Sequence, residues 1–194
     1  MKGDHIMSVT STSVTAPTGL PTGTWNIDPT HSVIEFSVRH LMISKVKGKF
    51  LTFSGTVTIP EDASQASVQV SIDPNSLHTG DATRDGHLRS ADFLEVEKYP
   101  VAEYVSSSVR SHGDGYVVDG QLTLHGVTRP VALDLEFNGS GPDPWGNTRA
   151  GFSASTEVNR RDFGIDISMP METGGVVVGD KVKLTIEVEL ILAK

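Results

Sequence analysis

Val182-Lys183-Leu184-Thr185-Ile186-Glu187-Val188-Glu189-Leu190-Ile191-Leu192 alternates apolar and polar residues almost to its end. A period of two puts Val182, Leu184, Ile186, Val188, Leu190 and Leu192 on one face of a strand. Lys183, Thr185, Glu187 and Glu189 fall on the other. One dry face and one wet face describe an antiparallel sheet. They exclude a parallel sheet covered by helices on both sides.

The same alternation recurs upstream. Ile34, Phe36 and Val38 oppose Glu35, Ser37 and Arg39, and Phe53, Val57 and Ile59 oppose Ser54, Thr56 and Thr58. Ala66, Val68, Val70 and Ile72 form another set. Val118, Leu122 and Leu124 follow, then Val131, Leu133, Leu135 and Phe137, then Phe152, Ala154, Thr156 and Val158. A weaker strand runs from Val101 to Val109. With turn signals at Gly113-Asp114-Gly115, Gly126–Pro130 and Gly139–Gly146, the pattern predicts about eight strands. Apolar parity switches between Phe50 and Leu51, beside Gly48, which predicts a β-bulge. Gly55 and Gly120 occupy inward positions where a bending sheet has no room for a side chain. One helix is predicted over Arg84–Glu97, capped by Asp81 or Thr83 and closed by Pro100. The expected fold is all-β: a single antiparallel eight-stranded barrel with one short helical excursion, a sandwich being the rival.

The 194 residues fit one domain, expected over residues 24–194. Residues 1–23 are rich in Ser, Thr and Pro and read as a disordered tail. Within it Met1–Ile6 look appended and Met7 a natural start. With no cysteine there is no disulfide or thiolate chemistry, and a net charge of -8 argues against nucleic acid as partner. The one basic concentration, Lys45, Lys47 and Lys49, alternates as a solvated strand face. No apolar run approaches the ~20 residues of a transmembrane segment. Met1 to Gly23 contains no signal-peptide core either, so a cytoplasmic location is expected.

Chemistry-bearing motifs are sparse. Seven histidines include no His-Glu-x-x-His pair, so no metal site is expected. Asp85 and His87 are two residues apart, which on a helix points them in different directions. Gly139-Ser140-Gly141 lacks the spacing of a nucleophile elbow, and Gly174-Gly175-Val176 is followed by no phosphate-binding Lys-Ser/Thr. Glu35, Asp134, Glu136, Glu187 and Glu189 share the outward polar parity and do not read as a paired-carboxylate cleft. No catalytic residue and no cofactor are assigned. What remains is the interior. Phe36 and Val38, Phe53, Val70 and Ile72, Leu122 and Leu124, Leu133 and Leu135, Phe152, and Leu184 and Ile186 share inward parity. An eight-stranded barrel either fills with such side chains or encloses one slim ligand, and patterning alone leaves both open.

Longer motifs bear on that choice. Trp25-Asn26-Ile27-Asp28-Pro29-Thr30-His31-Ser32 runs into Ile34-x-Phe36-x-Val38-x-His40, followed by Val46-x-Gly48-x-Phe50 and Phe53-x-Gly55. Further on come Arg84-Asp85-Gly86-His87-Leu88-Arg89-Ser90-Ala91-Asp92-Phe93-Leu94, closing on Tyr99-Pro100, and Gly120-x-Leu122-Thr123-Leu124-His125-Gly126-Val127-Thr128-x-Pro130. Arg160-x-Asp162-Phe163-Gly164-Ile165 completes the series. In this order, from Trp25 to Leu192, the chain resembles the YceI-like polyisoprenoid-binding family. The resemblance implies a lipocalin-like barrel around a polyisoprenoid or quinone-like lipid, serving carriage, storage or support of isoprenoid metabolism, with no enzymatic activity. It adds Leu88 and Phe93 of the helical stretch and Phe163 to the expected ligand-binding residues, with Trp25 and Phe163 plugging barrel ends. Many family members carry a signal peptide; with no signal-peptide core in Met1 to Gly23, a cytoplasmic location remains the expectation here. Two other functions remain: an enzyme acting on a lipid through His87, Asp85 and Arg160 at a barrel mouth, or a dry-core protein–protein interaction module. A homodimer is compatible with either.

Overall fold

The computed structural model describes residues 14–168 and 177–194. The run quoted first forms β11 (Val178–Leu192), which closes the barrel. Its end pairs with β1 (Gly23–Ile27), Trp25 opposite Leu192, and its beginning with β2 (Val33–His40), Leu184 opposite Phe36. β1 and β2 are thus one strand broken at Asp28–Ser32. β3 (Ser44–Phe50) and β4 (Phe53–Ile59) are broken at Leu51-Thr52. β5 (Ser67–Ile72) and β6 (Leu77–His78) are broken by a 3-10 turn at Pro74–Ser76. β7 (Ala102–His112), β8 (Gly115–Leu124), β9 (Val127–Pro142) and β10 (Thr148–Asn159) complete the circuit back to β11. With each broken pair counted once, eight antiparallel strands close on themselves, so the sandwich alternative is excluded.

The parity switch at Phe50/Leu51 is therefore a strand break and not a bulge. The Leu51 and Thr52 amides leave the ladder and donate to Ser76 Oγ at 3.1 and 3.0 Å, satisfying donors that would otherwise be orphaned. Bulges occur instead at Ser107 of β7, unpaired between Ser106 and Ser108, and at Asn138 of β9, unpaired where Gly151 and Phe152 of β10 face Gly139 and Phe137. Two other turn expectations shift. The β8–β9 turn is His125-Gly126, both at positive φ, and Pro130 lies within β9 opposite Gln121. It is tolerated because β10 pairs with β9 only from Asp134 onward, so no ladder bond is lost. Gly139-Ser140-Gly141 also lies within β9, and the connection shrinks to residues 143–147. The Asp143 carboxylate folds that loop by accepting the Trp145 and Asn147 amides. The β2–β3 turn has Leu41 and Met42 at φ 51° and 61°, with Ile43 N donating to His40 O at 3.2 Å. Side chains there cost about 1–2 kcal/mol per residue, which is why Asn and Gly usually occupy such turns.

The helix is shorter than expected. α1 spans Ala82–Arg89, capped by the Asp81 carboxylate on Arg84 N at 2.8 Å, and ends where Ser90 turns extended. The expectation ran to Glu97 because Leu88, Phe93, Leu94 and Val96 are apolar, but no single helical stripe contains all four. Successive turns bury Phe93 and Val96 instead, with Glu95 at φ 45°. Residues 14–22, read from the sequence as part of a tail, lie against the barrel. Val14 is buried, Tyr116 Oη donates to Thr15 O, and Trp25 Nε1 donates to Pro21 O. Gly174-Gly175-Val176 lies outside the described residues.

Two apolar clusters are buried in the interior. One is built around Trp25, fully buried, with Phe53, Ile59, Ala150 and Leu190; the other joins Tyr104, Val118, Leu122, Val158 and Phe163. No helix among the described residues is long and apolar enough to cross a membrane.

Candidate functional site

Inward parity on eight strands produces more space than the side chains fill. Two apolar cavities, of about 160 and 150 Å3, occupy the lumen. Ile34, Ile72, Leu122 and Leu184 line both, so the two lie end to end across these four side chains. The upper one, at the α1 end, is walled by Phe36, Val38, Leu124 and Val182 and roofed by Leu88, Phe93 and Leu94. The lower one is walled by Val70, Leu133, Leu135, Phe152, Ala154 and Ile186. An apolar cavity of about 150 Å3 stays dry and accepts a benzene-sized guest. Two that lie end to end offer room for something longer.

Every inward residue expected to contact a ligand lines one of these cavities, except two. Phe53 packs in the Trp25 cluster and Phe163 in the Tyr104 cluster. Each is buried against other side chains, closing the lumen without facing it.

The roof is fastened by polar contacts outside the lumen. Arg84 Nε donates to Thr79 Oγ1 at 2.7 Å, and Arg89 donates to the carbonyls of Asn75 (2.8 Å) and Leu77 (2.6 Å). Asp85 is buried, which alone would raise its carboxyl. The Thr79 hydroxyl (2.5 Å) and amide (2.9 Å) and nearby His78 outweigh burial and keep it below the ordinary carboxylate range. Asp85 therefore stays ionised and pins α1 to β6.

Among the described residues, two polar side chains reach the lumen wall. Tyr104 Oη donates to Val118 O at 2.9 Å, and burial pushes its hydroxyl pKa up, so it remains a donor. Arg160 is 5 % exposed, and its donors are taken by the carbonyls of Ile165 (2.6 Å) and Gly179 (3.1 Å) and by Asp180 (2.8 Å). Burial pulls it below the usual arginine range against the opposing pull of Asp180. Both groups are satisfied, as buried polar groups must be.

Among the described residues, the densest ionic cluster is on the outer wall. Arg149 Nη1 donates to Asp28 Oδ2 at 2.7 Å and to Glu189, and Nε donates to Asp143 Oδ2 at 2.7 Å. Asp28 is held well below the carboxylate range, first by the Thr30 hydroxyl, then, against the cost of burial, by Arg149 and by His31 at 2.8 Å. Asp28, His31 and Glu189 come close enough to share a metal ion. The Arg149 guanidinium already supplies the positive charge there, so the set is built as an ion pair.

Comparison with known proteins bears on this arrangement. The YceI-like domain family matches residues 25–190, most of the chain. The chain belongs to the YceI-like family.

Among its relatives, a UPF0312 protein of Serratia proteamaculans is 46 % identical over 165 residues, covering 84 % of this chain and 83 % of the relative. The crystal structure of a Campylobacter jejuni YceI protein superposes with a TM-score of 0.69 at 31 % identity, over 80 % of this chain and 90 % of that one. A domain from Saccharophagus degradans described as polyisoprenoid binding shares the fold, with a TM-score of 0.64 at 18 % identity, over 87 % and 98 % of the two chains.

In this YceI-like barrel the residues of the enzyme alternative are not brought into one constellation. His87 is exposed and pairs with Asp92 at 2.9 Å, Asp85 is occupied by Thr79, and Arg160 by backbone carbonyls. Sequence reasoning missed some lining residues that parity already marked, such as Ile34, Val118, Val131 and Val188. It also missed Leu77, Ile165 and Val178, which sit at strand ends and turns where no alternation identifies a face.

Proposed function

We propose that this YceI-like barrel binds one long apolar lipid of isoprenoid type in its lumen, for carriage, storage or support of isoprenoid and quinone metabolism. The observation that carries this reading is the pair of apolar cavities lying end to end across Ile34, Ile72, Leu122 and Leu184. Packed protein interiors leave few voids larger than a water molecule, so a filled, dry core does not explain them. Among the described residues the lining offers no free hydrogen-bonding group, so this reading has recognition come from the apolar chain and not from a head group. Burial contributes about 0.8 kcal/mol per methylene, and ten methylenes supply about 8 kcal/mol before ordering costs. The isoprenoid class is supported by the polyisoprenoid-binding description of the Saccharophagus degradans domain that shares the fold.

Native mass spectrometry of the purified protein, followed by organic extraction, tests the proposal. It predicts one apolar isoprenoid chain per barrel. A protein that arrives empty and takes up no polyprenol from detergent would refute it.

A further inference from the structure

The apolar surface at the β2–β3 turn serves neither the core nor the lumen. Leu41, Met42 and Ile43 are 36, 54 and 82 % exposed, three consecutive large apolar residues at a hairpin tip. The backbone is bent for them: Leu41 and Met42 take the positive φ that Gly or Asn would ordinarily supply. Their place in the barrel is specific. Leu41 N donates to Val177 O at 2.8 Å, and His40 pairs with Val178. Val38 and Val178 line the upper cavity, so the tip stands at the rim of that cavity.

The flank below the tip is basic. β2 and β3 contribute Arg39, Lys45, Lys47 and Lys49 to the outer face, all exposed, against the single carboxylate Glu35, although the whole chain carries a net charge of -8. Arg39 lies directly opposite Lys45, and Ser37 separates Lys47 from Lys183 of β11. Like charges facing each other across a ladder repel, and an external anion relieves the repulsion. Of the nearby carboxylates, Asp180 is already bonded to Arg160 and Arg161, and Glu157, across the ladder from Lys183, to Lys181.

We propose that the β2–β3 hairpin docks the protein on an anionic lipid bilayer. Met42 and Ile43 enter the acyl boundary, while Arg39, Lys45 and Lys47 engage the headgroups. An apolar tip above a cationic flank is the surface arrangement by which peripheral proteins hold to such membranes. Docked this way, the upper cavity opens toward the bilayer, so an apolar chain can pass between membrane and lumen with little exposure to water. That transfer step rests on the lipid-binding reading; the docking does not.

Flotation with vesicles of phosphatidylcholine, alone or with about a third phosphatidylglycerol, tests the docking. The wild-type protein should float with the anionic vesicles, weakly with the neutral ones, and lose binding at about 0.5 M salt, where the Debye length falls to roughly 4 Å. Each cation near the surface contributes about a fivefold gain in partition, so Lys45→Gln/Lys47→Gln should weaken binding at least about tenfold. Met42→Asp/Ile43→Asp should do the same, with melting temperature and extracted lipid unchanged. If the aspartates disturb folding, the glutamine pair decides. Wild-type protein that ignores anionic vesicles, or variants that float as well as wild type, would overturn the proposal. So would a dimer in solution that the tip variants dissolve, because the tip would then be a contact between copies. An empty barrel that floats would overturn the lipid reading and keep the docking; a loaded barrel that does not float would do the reverse.

Discussion

A Cβ placed on Gly120 would stand 2.5 Å from the Tyr104 hydroxyl and 2.7 Å from the Val105 carbonyl oxygen. Tyr104 leans over the glycine to donate to Val118 O (2.9 Å) and Val131 O (3.2 Å), tying β7 to β8 and β9. Gly120→Ala should therefore cost about 1–3 kcal/mol by overpacking. Tyr104→Phe in the same chain should not restore it, because the ring and the Val105 carbonyl remain in the way. Urea unfolding of the single and double variants measures this. A single variant within about 0.5 kcal/mol of wild type, the range of neutral surface changes, would contradict it.

The Arg149 cluster predicts an acid limb. Asp28 and Asp143 are held below the ordinary carboxylate pKa of about 4: Asp28 first by Thr30, Asp143 first by Arg149. Groups with lowered folded-state pKa contribute stability that is complete above the unfolded value and declines as pH falls through the folded one. Wild-type melting temperature should thus fall as pH drops below about 4. Arg149→Met leaves three carboxylates without their shared cation, so it should be less stable at neutral pH and lose less on acidification. Melting curves between neutral and strongly acidic pH check this, and parallel profiles for the two proteins would contradict it.

The same guanidinium bears on metal. With Arg149 Nη1 2.7 Å from Asp28 Oδ2, adding zinc should not raise the melting temperature, and dialysis against a chelator should not lower it. A large drop restored by zinc would show that Asp28, His31 and Glu189 act as ligands despite the guanidinium.

Where strands are long and regular, the sequence was a reliable guide. The alternation from Val182 to Leu192 identifies the closing strand and which of its residues face inward, because a two-residue period ties position to face. Gly55 and Gly120 were also legible, since a glycine among inward apolar residues signals close approach of another group. The breaks were not. Three adjacent strands break at Asp28–Ser32, Leu51-Thr52 and Asp73–Ser76, held by side chains such as Ser32 and Ser76, whose partners, the Glu189 carbonyl and the Leu51 and Thr52 amides, are distant in sequence. The end of α1 at Arg89 was hidden by apolar residues that pack from turns. The lumen follows from parity, but its emptiness does not. Phe36 and Phe53 share inward parity, and only the closed barrel puts one on a cavity wall and the other in a packed cluster.

That one chain threads both cavities is tested most directly by shortening the tunnel. Ala154 lines the lower cavity opposite Leu135 and Ile186, and Ala154→Phe fills that space with hydrocarbon while introducing no charge. Native mass spectrometry of delipidated wild type and variant, each offered polyprenols of graded length, gives the retained lipid per barrel. Wild type should retain longer chains better, up to a limit. The variant should keep short chains and lose long ones at least about tenfold, the effect of leaving roughly two methylenes unburied. Identical length profiles for the two proteins, or no retention of any polyprenol by wild type, would contradict a lipid chain in the lumen.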